Sequence, residues 1–198
     1  MDFVIGTHNK DKVLEFQRIL KPLGVSVLTA DLPDVEETGK TFAENAYLKA
    51  SAACRLTGKP AVADDSGLAV EALHGAPGIY SARYAGVGAS DEDRLAKLLN
   101  AMQGVPEGDR GAKFICSICC VFPDGTHITA EGECSGRIAF APQGASGFGY
   151  DPIFLVGTKT FAEFSGAEKD RVSHRGKALC SFTKKLKQYI RSKQNAEQ

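Results

Sequence analysis

Pro60-Ala61-Val62-Ala63-Asp64-Asp65-Ser66-Gly67 reads as a short apolar strand delivering two adjacent carboxylates, a hydroxyl and a glycine to its carboxyl end. In open α/β sheets that edge is where ligands bind. Carboxylates placed side by side repel each other, and the simplest offset is a hard divalent metal held by oxygen ligands. Asp64-Asp65-Ser66-Gly67 is equally good turn chemistry. By itself the stretch leaves a loop and a metal site open, and the rest of the chain must supply something for a metal to act on.

The flanking sequence alternates strand and helix. Residues 3–6 read as a strand, followed by the polar turn Thr7-His8-Asn9-Lys10-Asp11-Lys12. A helix follows with Val13, Phe16 and Leu20 on one face, ending before Pro22-Leu23-Gly24. Residues 25–29 form a second strand and 31–40 an acidic loop. Thr41-Phe42-Ala43-Glu44 is a capping box opening a helix that runs towards Gly58. Beyond the central stretch come a glycine-rich loop over 75–88 and a helix capped by Ser90-Asp91-Glu92-Asp93 that reaches about Met102. Strands are predicted over 112–122, 126–134 and 136–140, with Pro123-Asp124-Gly125 as a hairpin turn, and over 150–156. The final helix carries Leu179, Phe182, Leu186 and Ile190 on one face, and 191–198 reads as a frayed polar tail. These elements predict one α/β domain over 1–198. Its mixed central sheet is flanked by helices, in two lobes around a cleft.

Lys plus Arg equals Asp plus Glu at 24 each among 198 residues, so the net charge is zero. That argues against gripping long nucleic acid by charge, while leaving room for a local cluster of cations around a small anion. No apolar run approaches the roughly 18 residues of a membrane span. No basic, apolar leader precedes the first strand, which points to the cytoplasm. Six cysteines are present, and Cys116-Ser117-Ile118-Cys119-Cys120 has ligand-like spacing. Yet Phe114, Cys116, Ile118, Cys120 and Phe122 alternate along one strand face, as buried hydrophobes do, and no second cysteine pair completes four zinc ligands.

Four constellations carry chemistry. Thr7 to Lys12 joins a strand to a helix, so backbone N–H groups converge there with two ammonium groups, which suits a phosphate. Asn45 and Lys49 share a helix face. Glu36 or Glu37 can join Asp64 or Asp65 around Mg2+ while Lys49 faces phosphate oxygens. Gly147-Phe148-Gly149-Tyr150-Asp151-Pro152 offers close backbone approach, two flat rings and an acceptor, the parts of a nucleobase pocket. Ser173-His174-Arg175-Gly176, preceded by Lys169, supplies donors for a carbonyl edge. Each has an ordinary structural reading as turn, amphipathic helix or bend. Together they fit a nucleotide, and the expected cleft becomes a nucleotide-binding one.

These residues resemble the inosine triphosphate pyrophosphatase family, in its bacterial branch. The resemblance covers nearly the whole chain. It runs through Thr7-His8-Asn9-Lys10-Asp11-Lys12, Glu37-Thr38-Gly39 with Phe42 and Glu44-Asn45-Ala46, and Lys49-Ala50. It continues through Ala63-Asp64-Asp65-Ser66-Gly67-Leu68, the segment from Pro77 to Tyr84, Gly147 to Pro152, and Ser173-His174-Arg175-Gly176. His8-Asn9-Lys10 departs from the family pattern, in which smaller residues are common. The resemblance implies water attack at the α-phosphorus of deaminated purine nucleoside triphosphates, releasing pyrophosphate. It implies Mg2+, with Asp65 as proton acceptor and metal ligand and Glu36, Glu37 and Asp64 in supporting metal roles. Thr7, His8, Asn9, Lys10, Asp11, Lys12, Asn45, Lys49 and Ser66 are then expected around the triphosphate. Phe148, Gly149, Tyr150, Asp151, Lys169, His174 and Arg175 are expected around the base. A donor from His174 or Arg175 aimed at the purine 6-oxygen would leave adenine with donor facing donor, a mismatch of about 1–3 kcal/mol. The family also implies a homodimer, with residues 77–84 at its interface. A non-catalytic nucleotide sensor and a broader Mg-dependent nucleotide phosphohydrolase are the competing readings.

Overall fold

The computed structural model of the chain describes residues 2–196. Its first strand, β1 (Asp2–Ile5), buries Phe3, Val4 and Ile5. Asn9 caps α1 (Lys10–Leu20), its side-chain oxygen accepting from the N–H groups of Asp11 and Lys12. A single 3-10 turn carrying Pro22 stops the helix, and Gly24 in the left-handed region redirects the chain. β2 (Ser26–Thr29) lies parallel to β1, with Val27 opposite Phe3. α2 (Phe42–Thr57), capped by Thr41 and closed by Gly58, leads into β3 (Ala61–Val70). β3 is also parallel to β1, with Ile5 opposite Val62.

β3 corrects the sequence reading at its centre. Asp64-Asp65-Ser66-Gly67 neither ends the strand nor turns; the strand runs through all four residues to Val70. Leu68 and Val70 beyond them are fully buried, so apolar burial continues past the polar insert and holds it extended. The sheet-edge idea survives in altered form. β1 ends at Ile5, opposite Val62, so the two aspartates stand just beyond the carboxyl end of β1 rather than of their own strand.

The remaining elements are α3 (Asp91–Ala101), β4 (Gly111–Val121), β5 (His127–Ile138), β6 (Phe154–Val156), β7 (Lys159–Thr160), α4 (Gly166–Val172) and α5 (His174–Ala196). The seven strands form one open sheet in the order β2-β1-β3-β4-β5-β6-β7, parallel at β2-β1-β3 and antiparallel at β5-β6-β7. Several boundaries differ from expectation. β5 is continuous through Ser135, where two strands were predicted, and residues 151–153 make a 3-10 turn before β6. β7 and α4 were not anticipated, and the 75–88 loop contains a 3-10 stretch, Gly78–Arg83. α5 runs helical to Ala196 through most of the expected tail; 197–198 lie outside the described residues.

Contacts divide the chain into two compact units, the first comprising Met1–Asp65, Cys116–Gly132 and Arg175–Gln198, the second Ser66–Ile115 and Glu133–His174. In the first, strand alternation sends Phe3, Ile5, Cys116, Ile118 and Cys120 into a cluster with Phe16 and Leu20 of α1 and Phe182 of α5. Val4, Ala61, Ala63, Cys119 and Val121 point the other way, against Ala46, Ala50 and Ala53 of α2. The second unit has its own core of Leu68, Leu98, Phe114, Ile153, Phe154 and Phe161. All six cysteines are free thiols, five buried and Cys180 exposed, and burial pushes Cys119 up to about 12.

Gly136 lets β6 approach β5: a Cβ there would stand 2.3 Å from the Leu155 carbonyl oxygen and 2.7 Å from the Phe154 ring. Gly136→Ala is therefore expected to cost about 1–3 kcal/mol of stability by strand displacement, read as a lower midpoint at unchanged slope in urea unfolding.

Candidate active site

Successive side chains of a strand point to opposite faces, so β3 separates Asp64 from Asp65 although they adjoin in sequence. Asp64 is 1 % exposed. Its Oδ2 accepts from Arg175 Nε at 3.1 Å and Nη2 at 2.9 Å, with Lys12 Nζ at 3.1 Å. The third arm of the guanidinium, Nη1, donates to Glu15 Oε2 at 2.6 Å. Burial by itself would raise the Asp64 pKa, but Lys12, Arg175 and Lys49 outweigh it and hold the carboxyl well below the usual range. Asp64 Oδ1 is buried with no hydrogen-bond partner among the described residues.

Asp65 faces α2. Its Oδ2 accepts from Asn45 Nδ2 at 3.1 Å, and its Oδ1 lies 3.4 Å from Lys49 Nζ. Lys49 also meets Glu37 Oε1 at 2.7 Å, so one ammonium stands between two carboxylates. Asn45 is fully buried and works in both directions, its Oδ1 accepting the Gly39 N–H at 2.8 Å. Glycine is required at 39, because a Cβ would sit 2.6 Å from that oxygen. The acidic loop is thereby laid against the start of α2 with Glu37 turned to Lys49; Glu36 is exposed. Burial raises the Asp65 pKa, Lys49 opposes this, Glu37 adds to it, and the net shift is upward. Burial would lower Lys49, yet Asp65, Asp64 and Glu37 keep it raised and charged.

The first turn is arranged differently from a plain anion cradle. Asn9 is committed to capping α1, and Thr7 Oγ1 accepts the Asn9 N–H at 3.2 Å. His8 Nδ1 meets Asp34 at the exposed surface, 3.0 Å away. Lys10 and Asp11 are exposed, while Lys12 turns inward to Asp64.

The second unit holds the aromatic turn. Asp151 is 3 % exposed, and its Oδ2 accepts the Phe148 N–H at 3.0 Å and Lys169 Nζ at 2.6 Å. Gly147 is obligatory, since a Cβ would fall 2.0 Å from that same oxygen. Lys169 Nζ lies 4.8 Å from the centroid of the half-buried Phe148 ring. Tyr150 departs from the sequence reading. It is 4 % exposed and donates its hydroxyl to the Ser81 carbonyl at 2.9 Å, so it belongs to the core rather than offering a face. His174 is buried and stacks on Phe114, centroids 4.6 Å apart and planes 9° apart. Ser66 is half-buried at the start of this unit. Arg175 differs most from expectation: its Nε, Nη1 and Nη2 are engaged by Asp64 and Glu15 in the first unit. Sequence reasoning missed Glu15, whose signal was its place on α1 one residue before the buried Phe16.

Among the described residues no three of His, Cys, Asp and Glu converge as a metal cage. Asp65 and Glu37 nevertheless surround one cationic centre already, the Lys49 ammonium. Two carboxylates suit Mg2+ when phosphate and water oxygens complete its shell.

A family model described as the Ham1 family matches residues 3–185. A dITP/XTP pyrophosphatase of Desulfotalea psychrophila is 48% identical over 194 residues, covering 95% of this chain and 86% of that protein. One from Yersinia pseudotuberculosis is 52% identical over 183 residues, covering 89% and 93%. Among solved structures, a HAM1 protein from Coxiella burnetii superposes with TM-score 0.86 at 41% identity, covering 95% of this chain and 99% of that one. The Staphylococcus aureus Ham1 protein gives 0.82 at 42%, covering 98% and 100%.

Replacing Arg175 with Leu leaves Asp64 and Glu15 buried without their guanidinium, and about 3–5 kcal/mol of stability should be lost in urea unfolding. The Asp64 pairing carries a pH signature of its own. Its folded pKa is depressed, so its contribution is complete above the unfolded value of about 3.9 and fades as pH falls below it. The stability gap between the wild type and Asp64→Asn, measured with chelator present, should therefore be widest near neutrality and narrow steadily below pH ~4.

Proposed function

The chain belongs to the Ham1 family, and from that premise we propose that it hydrolyses deaminated purine nucleoside triphosphates, ITP/dITP and XTP/dXTP, to the monophosphate and pyrophosphate. The observation that carries the chemistry is Asp65, buried against Asn45 and sharing Lys49 with Glu37. A carboxylate oriented by one neutral donor and raised by burial is suited to accept a proton. Asp65 takes the proton of a water that attacks the α-phosphorus. The bond from that phosphorus to the oxygen bridging towards the β-phosphorus breaks, and pyrophosphate leaves with the electron pair. Lys12 and Lys49 supply fixed positive charge near the phosphates, and such fixed charge is the main device of phosphoryl-transfer catalysis.

Asp65 and Glu37 are the residues that would hold Mg2+, since each already faces a cation and burial penalises Asp65 in its absence. Bound there, the ion would neutralise phosphate charge and sharpen the water as a nucleophile. Asp64 serves the first turn instead, holding Lys12 in place. Phe148 with Asp151 and Lys169 takes the base. With Arg175 engaged by Asp64 and Glu15, the donor for the 6-oxygen falls to His174. We assign the enzyme to the cytoplasm as a homodimer, a reading supported by the family resemblance; no described helix is long and apolar enough to cross a membrane.

The test is a panel of triphosphates with Mg2+ or chelator, scored for base preference and phosphate product. Inosine and xanthosine triphosphates should give pyrophosphate, adenosine triphosphate should be poor, and chelator should stop turnover. Asp65→Asn should lower kcat on the order of 10²–10⁴-fold while its unfolding midpoint stays near wild type. Binding without pyrophosphate release would instead mark a sensor.

A further inference from the structure

The turn over 147–152 is held by two carboxylates, of which its own Asp151 is only one. The next amide along, the Gly149 N–H, donates to Asp91 Oδ2 at 2.6 Å. Asp91 opens α3, 58 residues earlier in the chain, directly after the capping Ser90. Its other oxygen is paired with Arg94 Nη2, and Arg94 Nη1 donates to the carbonyls of Ala82 at 2.9 Å and Ala89 at 2.8 Å. Asp91 is thus itself oriented by a guanidinium that also ties down the preceding loop. Residues 141–147 just before Phe148 are exposed, so little apolar packing fixes the approach to the turn. Asp151 acts within the turn and sets its shape. Asp91 acts from outside and sets where the turn stands against α3. Hydrogen bonds to an ionised acceptor are roughly twice as strong as neutral ones, so Asp91 adds a strong anchor at Gly149 to those that Tyr150 makes to Ser81 and Asp151 makes to Lys169.

We propose that Asp91 is a positioning residue for base recognition, tethering Gly149 so that the Phe148 ring is presented at a fixed place; this rests on assigning the turn to the base. Asp91 acts through Gly149 and the ring beside it, so its effect should fall on KM and on base preference rather than on kcat.

Three variants separate this from a merely structural role. Asp91→Ala removes the acceptor, Asp91→Asn keeps an oxygen able to accept the Gly149 N–H, and Ser90→Ala weakens the same helix start by removing the cap on Asp93 without touching the turn. For inosine triphosphate, Asp91→Ala should raise KM about ten- to a hundredfold, with kcat within about twofold and a narrowed preference over adenosine triphosphate. Asp91→Asn should recover part of that loss, since one oxygen can still accept from Gly149 while its amide nitrogen cannot accept from Arg94. Ser90→Ala should lower the melting temperature and leave KM alone. Amide exchange at Gly149 reads the tether without any substrate: it should accelerate in Asp91→Ala and stay slow in Ser90→Ala. Unchanged Gly149 exchange in Asp91→Ala overturns the tether. Accelerated exchange with unchanged KM and preference, or Ser90→Ala matching Asp91→Ala in KM, overturns the link to base recognition. A wild-type protein that releases no pyrophosphate defeats the functional reading instead, and Gly149 exchange still decides the tether.

Discussion

The pleat of one strand governs this site. Two carboxylates adjacent in sequence would repel each other strongly if they shared one environment, yet extended geometry sends them to opposite faces, where each meets a different cation. Asp64 is neutralised from α1 and α5, Asp65 from α2. The burial cost is more than offset for Asp64 and only partly offset for Asp65. Asp64, gripped by a guanidinium and an ammonium, is fixed as an anion. Asp65, with a single shared ammonium and an amide, stays closer to protonation. Identical side chains one residue apart thereby acquire different chemistries, in the manner by which paired carboxylates divide acid and base work elsewhere.

Local patterns made much of the fold legible. The helix with Phe16 and Leu20, the caps at Thr41 and Ser90, and the alternating cysteines all follow from spacing and short-range hydrogen bonding, and each is present. What misled was Asp-Asp-Ser-Gly, because turn propensity is a local quantity and burial of Leu68 and Val70 is not. The step at Ser135 misled similarly: two strands were expected on either side of it, whereas one strand runs through, and Gly136 leaves room for its neighbour. Short strands such as β7 and the seven-residue α4 carry too few residues for a period to declare itself.

For the site, residue types were easier to read than partners. A sequence shows that Arg175 has a fork of donors, but not that Glu15, 160 positions away, occupies one of its arms. It shows that Tyr150 has a ring, but not that Ser81 fixes the hydroxyl in the core. Asp91 looked like a helix-cap residue, and only the fold sets it against Gly149. In each case the missing information is a long-range hydrogen bond, which leaves no trace in periodicity or composition.

The thiols, set down as core packing, give the protein an internal reporter. Thiolates rather than thiols are the reactive form, and burial both shields Cys116, Cys119 and Cys120 and suppresses their ionisation. Only Cys180 is exposed. An alkylating reagent therefore meets a single ready target on the folded chain. The other five become available as strands β4 and β5 and helix α2 part, so the order in which they are modified traces the order in which the sheet opens.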